Sequence, residues 1–383
     1  MLAEFIFWGS LGLIFYTYFG YPAVLLLGTK LRGTKSVVAV DRQSPSVSVV
    51  ISVYNEQKVL SERIRNLESS LYPNDRIEFL IGSDASTDGT DALLSEMKSE
   101  RLRAIRFDQR RGKSAVLNDL VAAAKGEVIV FTDANTVFAG DTIEKLVRMF
   151  TDPAVGAVCG NLILHADPKT VGGAGESAYW TYENHIKKLE SDLRTVVGAT
   201  GGVYAIRRHL FRPLPTEKPV TDDFVVPLKV LEAGYVAKYE ATALAYERSE
   251  DSVLREFRRK ARISAQNYSS LSEFRRLLHP RTGFIAFALW SHKIIRWMVP
   301  FLILFMLLSS VFLASSLDSY RLILYCELFV IAVAGAGFIL DLLRLPVGWF
   351  GIPYYFFATN AALLVGFVRY LLKRERPMWE INR

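Results

Sequence analysis

An α/β domain on a mostly parallel sheet, held between N- and C-terminal transmembrane helices, is the fold class the sequence predicts. Three observations carry that prediction. Strand-like runs alternate with amphipathic helical runs from Val47 onward, and several of those strands end in acidic or amide side chains. Uncharged apolar stretches long enough to cross a bilayer lie towards both ends of the chain.

The run Val128-Ile129-Val130-Phe131 is the centre of the pattern, a short buried strand leading directly into Thr132-Asp133-Ala134-Asn135. Before it, residues 114–125 place Val116, Leu117, Leu120, Val121 and Ala124 at helical spacing, and Gly126 closes that helix. Ligands of open α/β sheets sit at the carboxyl ends of strands, where Asp133 falls. Residues 47–53 read as an opening strand ending at Tyr54-Asn55-Glu56. Residues 60–71 read as a helix with Leu60, Ile64, Leu67 and Leu71 on one face. A second buried strand at 77–82 ends in Ser83-Asp84-Ala85-Ser86, followed by a helix at 90–98 and a strand at 102–107. Residues 169–250 are less regular. A helix is expected at 177–189, then a glycine-rich loop at 198–202, the run Val203 to Ile206, and a proline-rich loop ahead of Thr221-Asp222-Asp223-Phe224. A basic helical region follows at 252–278.

Of the 383 residues, 51% are hydrophobic, and the surplus lies near the two ends. Residues 5–27 carry no charge and read as a retained anchor, with no small-residue cleavage site evident. Lys30, Arg32, Lys35 and Arg42 follow it, and Glu4 is the charge before it, an asymmetry that places the α/β domain in the cytoplasm of an integral membrane protein. Residues 284–297 contain His292, Lys293 and Arg296 and read as an interfacial amphipathic helix, ahead of spans at 299–315, 322–340 and 350–372. The expected organisation is an anchor at 1–29, a linker at 30–45, the α/β domain at 46–265, interfacial helices at 266–298, a transmembrane bundle at 299–372 and a basic tail at 373–383. Three C-terminal spans put Lys373, Arg374, Arg376 and Arg383 outside, so either the positive-inside tendency is violated or one segment dips without crossing.

The net charge of +7 comes with no nucleic-acid-binding signature, and much of the basic excess flanks apolar segments. Membrane topology and contact with membrane lipids explain it, and no nucleic-acid partner is expected. Cys159 and Cys326 lie far apart, which supports neither a disulfide framework nor a thiolate metal site.

Taken singly, the polar stretches have ordinary readings. Asn55 suits a helix cap, Asp88 a turn, and Asp222 and Asp223 a helix start. Gly112-Lys113 joins a flexible backbone, oriented N–H groups and a cation at a helix start, a combination suited to phosphate. Taken in order with Asp84, Asp133-Ala134-Asn135, the loop from Gly198 to Arg207 and the helix from Glu256 to Ile263, they resemble the motif series of family 2 glycosyltransferases. These are membrane-anchored, inverting enzymes of the Rossmann-like GT-A fold, the group that includes hyaluronan, cellulose and poly-N-acetylglucosamine synthases. The resemblance covers roughly residues 45–265.

That resemblance implies transfer of a sugar from a nucleotide sugar, UDP-linked, to a glycan or lipid-linked acceptor, with Mg²⁺ or Mn²⁺ as cofactor. Tyr54, Asn55 and Glu56 would line the base and ribose. Asp84 would accept from a uracil N–H, standing alone where the family shows Asp-Asp-Gly-Ser. Lys113, Arg259 and Arg262 would hold the diphosphate. Asp133 and Asn135 occupy the metal-binding Asp-x-Asp, with an amide oxygen replacing the second carboxylate. Asp223 would be the general base beside Asp222, and Gly201 and Gly202 belong to the acceptor-side loop. Processive synthases carry Gln-x-x-Arg-Trp where this chain has Arg259-Lys260-Ala261-Arg262-Ile263, so limited sugar addition is expected. Two alternatives stay open: a processive synthase that secretes its polymer, and a non-catalytic nucleotide-sugar-binding subunit.

Overall fold

The computed structural model describes residues 1–33, 44–97, 99–165, 171–248 and 252–374. Much of the expected linker, with Lys35 and Arg42, and most of the basic tail, with Arg376 and Arg383, lie outside these residues. Among these described residues eight strands form one mixed sheet: β1 (Val47–Val53), β2 (Ile77–Asp84), β3 (Leu102–Phe107), β4 (Val128–Phe131), β5 (Val137–Phe138), β6 (Val155–His165), β7 (Tyr204–Arg207) and β8 (Val236–Arg248). Their order is β3-β2-β1-β4-β7-β6-β8-β5. The first four are parallel, as the strand–helix alternation predicts. β7 then runs antiparallel to both β4 and β6, β6 is parallel to β8, and β5 is antiparallel to β8.

Side chains alternate across the sheet and sort into two cores. Val49 and Ile51 of β1 join Leu60, Ile64 and Leu67 of helix Gln57–Glu68 and Ile143 and Leu146 of helix Thr142–Arg148 on one face. Val50, on the other face, joins Val116, Leu117 and Leu120 of helix Lys113–Ala123 and Phe224, Val225 and Leu228 of helix Asp222–Glu232. Gly126 brings the chain back into β4 against β1, where a Cβ would lie 2.4 Å from the Ser48 nitrogen.

Among the described residues, four helices are long and apolar enough to cross a membrane: Leu2–Arg32, Phe284–Leu313, Asp318–Leu342 and Gly348–Leu371. The interfacial helix expected at 284–297 is instead the continuous first half of Phe284–Leu313. Its polar residues are neutralised within the protein. His292 bonds Glu190 at 2.7 Å and Glu183 at 3.1 Å, and Arg296 pairs with Glu183, both carboxylates standing on helix Val171–Leu193. Tyr21 of the first apolar helix donates to the same Glu190 at 2.7 Å. The core on the Val50 face continues into this helix through Ala288, Leu289 and Trp297, so the α/β domain and the apolar helices share packing.

Candidate active site

Asp133 leaves the end of β4 and meets Lys113, at the start of helix Lys113–Ala123. The Lys113 Nζ lies 2.8 Å from Asp133 Oδ1 and 3.0 Å from Asp222 Oδ1, bridging two carboxylates from distant parts of the chain. Tyr204, next to β4 on β7 and stacked on Phe131 at 4.6 Å, donates to Asp222 Oδ2 at 2.8 Å. Asp222 is thereby held on both oxygens. Burial works against the Lys113 charge, but Asp133 and Asp222 outweigh it and hold the ammonium above its ordinary range.

Asp223 takes a different environment. Gly201 lies between its carboxylate and that of Asp133, for a Cβ there would stand 3.6 Å from an oxygen of each. The backbone of this loop is tied to Asp223: Ala199 N donates to the Asp223 carbonyl at 2.8 Å. Gly202 is packed more tightly, its Cβ position 2.9 Å from Thr136 Oγ1. Burial first, and the Asp222 charge second, push the Asp223 carboxyl up to about 6, against the opposing pull of Lys113. A carboxylate at that value is ionised at neutral pH yet a much better proton acceptor than an exposed aspartate.

The other sequence-predicted residues divide. Glu56, Lys113, Asp133, Asn135, Gly201, Gly202, Asp222, Asp223, Arg259 and Arg262 all line one cleft of about 2260 Å³. Tyr54, Asn55 and Asp84 stand beside it. Arg110 lies over the Tyr54 ring at 3.7 Å. Asn55, at φ 54°, is no helix cap; its Oδ1 accepts from Thr87 N at 2.7 Å and ties the end of β1 to the loop after β2. Asp84 accepts from the backbone N–H groups of Arg111 at 2.7 Å and Gly112 at 2.8 Å, so it positions the loop that presents Lys113. Arg259 is engaged by Glu256 at 2.6 Å and Glu176 at 2.5 Å, and Arg262 lines the same cleft. Burial and the neighbouring Glu256 push Glu176 up to about 7.

Three cleft residues were not singled out from sequence. Arg63 is buried on the apolar face of its helix, donates to Thr132 Oγ1 at 2.8 Å and stacks on Phe138 at 4.3 Å. Burial lowers its guanidinium to about 9, with Asp133 opposing. Its place between Leu60, Ile64 and Leu67 was the legible signal, a cation on an apolar stripe. Lys187 bonds Thr200 Oγ1 at 2.5 Å in the glycine-rich loop. Glu247, at the end of β8, accepts from Asn135 Nδ2.

The cleft residues that could hold a divalent ion at this position are Asp133, Asn135 through its amide oxygen, and Glu247. Among the described residues no group of three or more His, Cys, Asp or Glu gathers into a metal cage. Two carboxylates and an amide fit an ion that takes its remaining ligands from substrate phosphates and water, the usual habit of Mg²⁺.

A mixed sheet whose strand β4 leads into Asp133, bridged by Lys113 to Asp222 at a helix start, with Asp223 and a glycine loop beside it, is the arrangement of a GT-A-type domain. Residues 48–214 match the model of Glycosyl transferase family 2, and the chain carries a family 2 glycosyltransferase domain. It is 28% identical over 217 residues to a beta-monoglucosyldiacylglycerol synthase of Nostoc sp., covering 53% of this chain and 44% of that protein. It is 25% identical over 210 residues to a poly-beta-1,6-N-acetyl-D-glucosamine synthase of Staphylococcus epidermidis, covering 54% and 50%. The chain thus spans about half the length of these relatives. Among solved structures, a mannosyltransferase of Pyrobaculum calidifontis in complex with GDP-Man and Mn²⁺ aligns over 96% of this chain and 99% of that one, with a TM-score of 0.71 and 22% identity.

Proposed function

We propose that this protein is a membrane-bound inverting glycosyltransferase, its catalytic domain facing the cytoplasm, that moves a hexose-type unit from a UDP-sugar to a hydroxyl of a lipid-anchored acceptor. The observation that carries this reading is the pair of carboxylates, Asp133 and Asp223, both set close against Gly201 in a cleft that continues to Arg296, Trp297 and Tyr355 of the apolar helices. Asp223 takes the proton of the acceptor hydroxyl as its oxygen attacks the anomeric carbon. The bond from that carbon to the diphosphate breaks on the opposite side, its electron pair leaving with the nucleotide, and the configuration inverts. Lys113, with Arg262 further along the cleft, offsets the charge gathering on the leaving group. Asp133, Asn135 and Glu247 would hold Mg²⁺ or Mn²⁺, which when bound supplies Lewis-acid stabilisation of the diphosphate. Ile263 lines the cleft where a processive enzyme stacks the acceptor on tryptophan, which favours limited addition.

Incubating the purified protein in lipid with UDP-, GDP- and dTDP-sugars and measuring nucleotide release tests this. Release from UDP-sugars that is lost in Asp133→Ala supports it; release from GDP-sugars alone changes the nucleotide, and no release with any donor favours a non-catalytic subunit. A ladder of long products would establish processive synthesis instead.

Asn135→Asp tests the metal assignment. A third carboxylate beside Asp133 and Glu247 raises the affinity for Mn²⁺, and the apparent Kd read by metal titration of thermal stability falls about tenfold or more. An unchanged Kd removes position 135 from the ligand set.

A further inference from the structure

We propose that the last apolar helix, Gly351–Leu371, does not cross the bilayer but lies along its surface on the catalytic side, so that the chain crosses three times and Lys373 and Arg374 are on the same side as the α/β domain.

The other three apolar helices define a membrane axis. At one end Tyr320, at the start of Asp318–Leu342, meets Phe7 at 5.6 Å and Trp8 at 3.0 Å, beside Leu313. At the other end Tyr21, His292 and Arg296 meet the catalytic-side helix Val171–Leu193. A chain crossing back through Asp318–Leu342 brings Asp341 to the catalytic end.

The helix Gly351–Leu371 touches this bundle at the catalytic end from start to finish. Its first turn packs on that end, with Tyr354 donating to Asp341 at 3.1 Å and a Cβ on Gly337 meeting the Phe350 carbonyl at 2.8 Å. Its second turn meets Tyr18 through Phe356 at 5.7 Å. Its last turns meet Phe301 through Phe367 at 5.1 Å. Phe301 lies only ~8 Å along its helix from Arg296, whereas a span would have carried Phe367 ~24 Å deeper than Gly351. A hydrocarbon core about 30 Å thick does not accommodate both placements.

Its long neighbour is not a membrane helix either. It packs on helix Val253–Leu271, which carries Arg255, Arg258, Arg259, Lys260 and Arg262. Ser264 Oγ donates to the Leu363 carbonyl at 3.1 Å, a Cβ on Gly366 would lie 2.5 Å from the Ala261 carbonyl, and Tyr268 stacks on Tyr370 at 5.9 Å. Val368 and Leu371, about 60° apart on the helix, remain exposed to the lipid surface, as does Ile352 at its start. This arrangement also keeps the basic residues after the helix on the side that the positive-inside tendency requires.

The test reads sidedness and is independent of any transferase activity. In the full chain, with Cys159 and Cys326 replaced by alanine, Ser316→Cys and Lys373→Cys are made singly and challenged with a membrane-impermeant maleimide in intact cells and in inverted vesicles. Reaction from opposite sides is expected, since one crossing separates the two positions. Reaction of both from the same side overturns the proposal, because it requires a fourth crossing. Ser315→Cys and Arg374→Cys repeat the comparison if either first variant fails to react in detergent.

Discussion

Asp223→Asn lowers sugar transfer by about 10²–10⁴-fold while nucleotide affinity stays within about threefold, the outcome for loss of a positioned base that does not hold the donor. Stopped transfer and equilibrium nucleotide binding on the same preparation measure the two halves. Unchanged turnover would remove Asp223 from the mechanism. The pH profile of the parent protein carries the same assignment with a sign. The base works ionised, and burial beside Asp222 raises its carboxyl to about 6. kcat/KM therefore falls about tenfold per pH unit below that value and is level above it, whereas an aspartate of ordinary acidity would stay active to about pH 4.

Lys113→Met has the second large effect. Its ammonium bridges Asp133 and Asp222 at 2.8 and 3.0 Å and is the leading cation opposing the rise of the Asp223 carboxyl. Methionine keeps the stem and removes the charge. Donor KM rises by about 30-fold or more, the effect of truncating one partner of a desolvated charge pair. At the same time the acidic limb of the pH profile moves above 6, because three carboxylates now share the site without their common counter-charge. A higher KM with an unmoved limb would mean that Lys113 contacts the donor without tuning the base.

The fold was legible where local pattern and tertiary role agree. β1 and β4 fall on the expected residues because buried parallel strands read as near-continuous apolar runs, and β3, the part-exposed edge strand, falls on them although it carries Arg103 and Arg106. β6 and β8 were not expected. β6 contains Gly156 and Gly160 and is broken by register irregularities after Val155 and Cys159, so its residues follow no simple two-residue period. The carboxylates of the cleft were legible because each ends a strand or opens a helix. Their partners were less so: Lys187 and Glu247 reach the cleft from elements whose sequence gives no hint of direction, and Arg63 was marked only by its place on an apolar stripe. Arg259 shows the limit from the other side, since nothing in the basic run Arg258 to Arg262 distinguishes the arginine claimed by Glu176, 83 residues away, from its neighbours.

The cleft reaches from the strand ends to side chains of the apolar helices, and a lipid-anchored acceptor, as proposed above, would give the reaction two concentration scales. The nucleotide sugar arrives from water and counts in moles per litre. An acceptor whose tail stays in the bilayer arrives by lateral diffusion and counts as a mole fraction of the lipid around the protein. Adding inert lipid at constant total acceptor therefore slows the reaction, and adding water does not. Turnover in such a site follows the composition of the surface that the protein sits in.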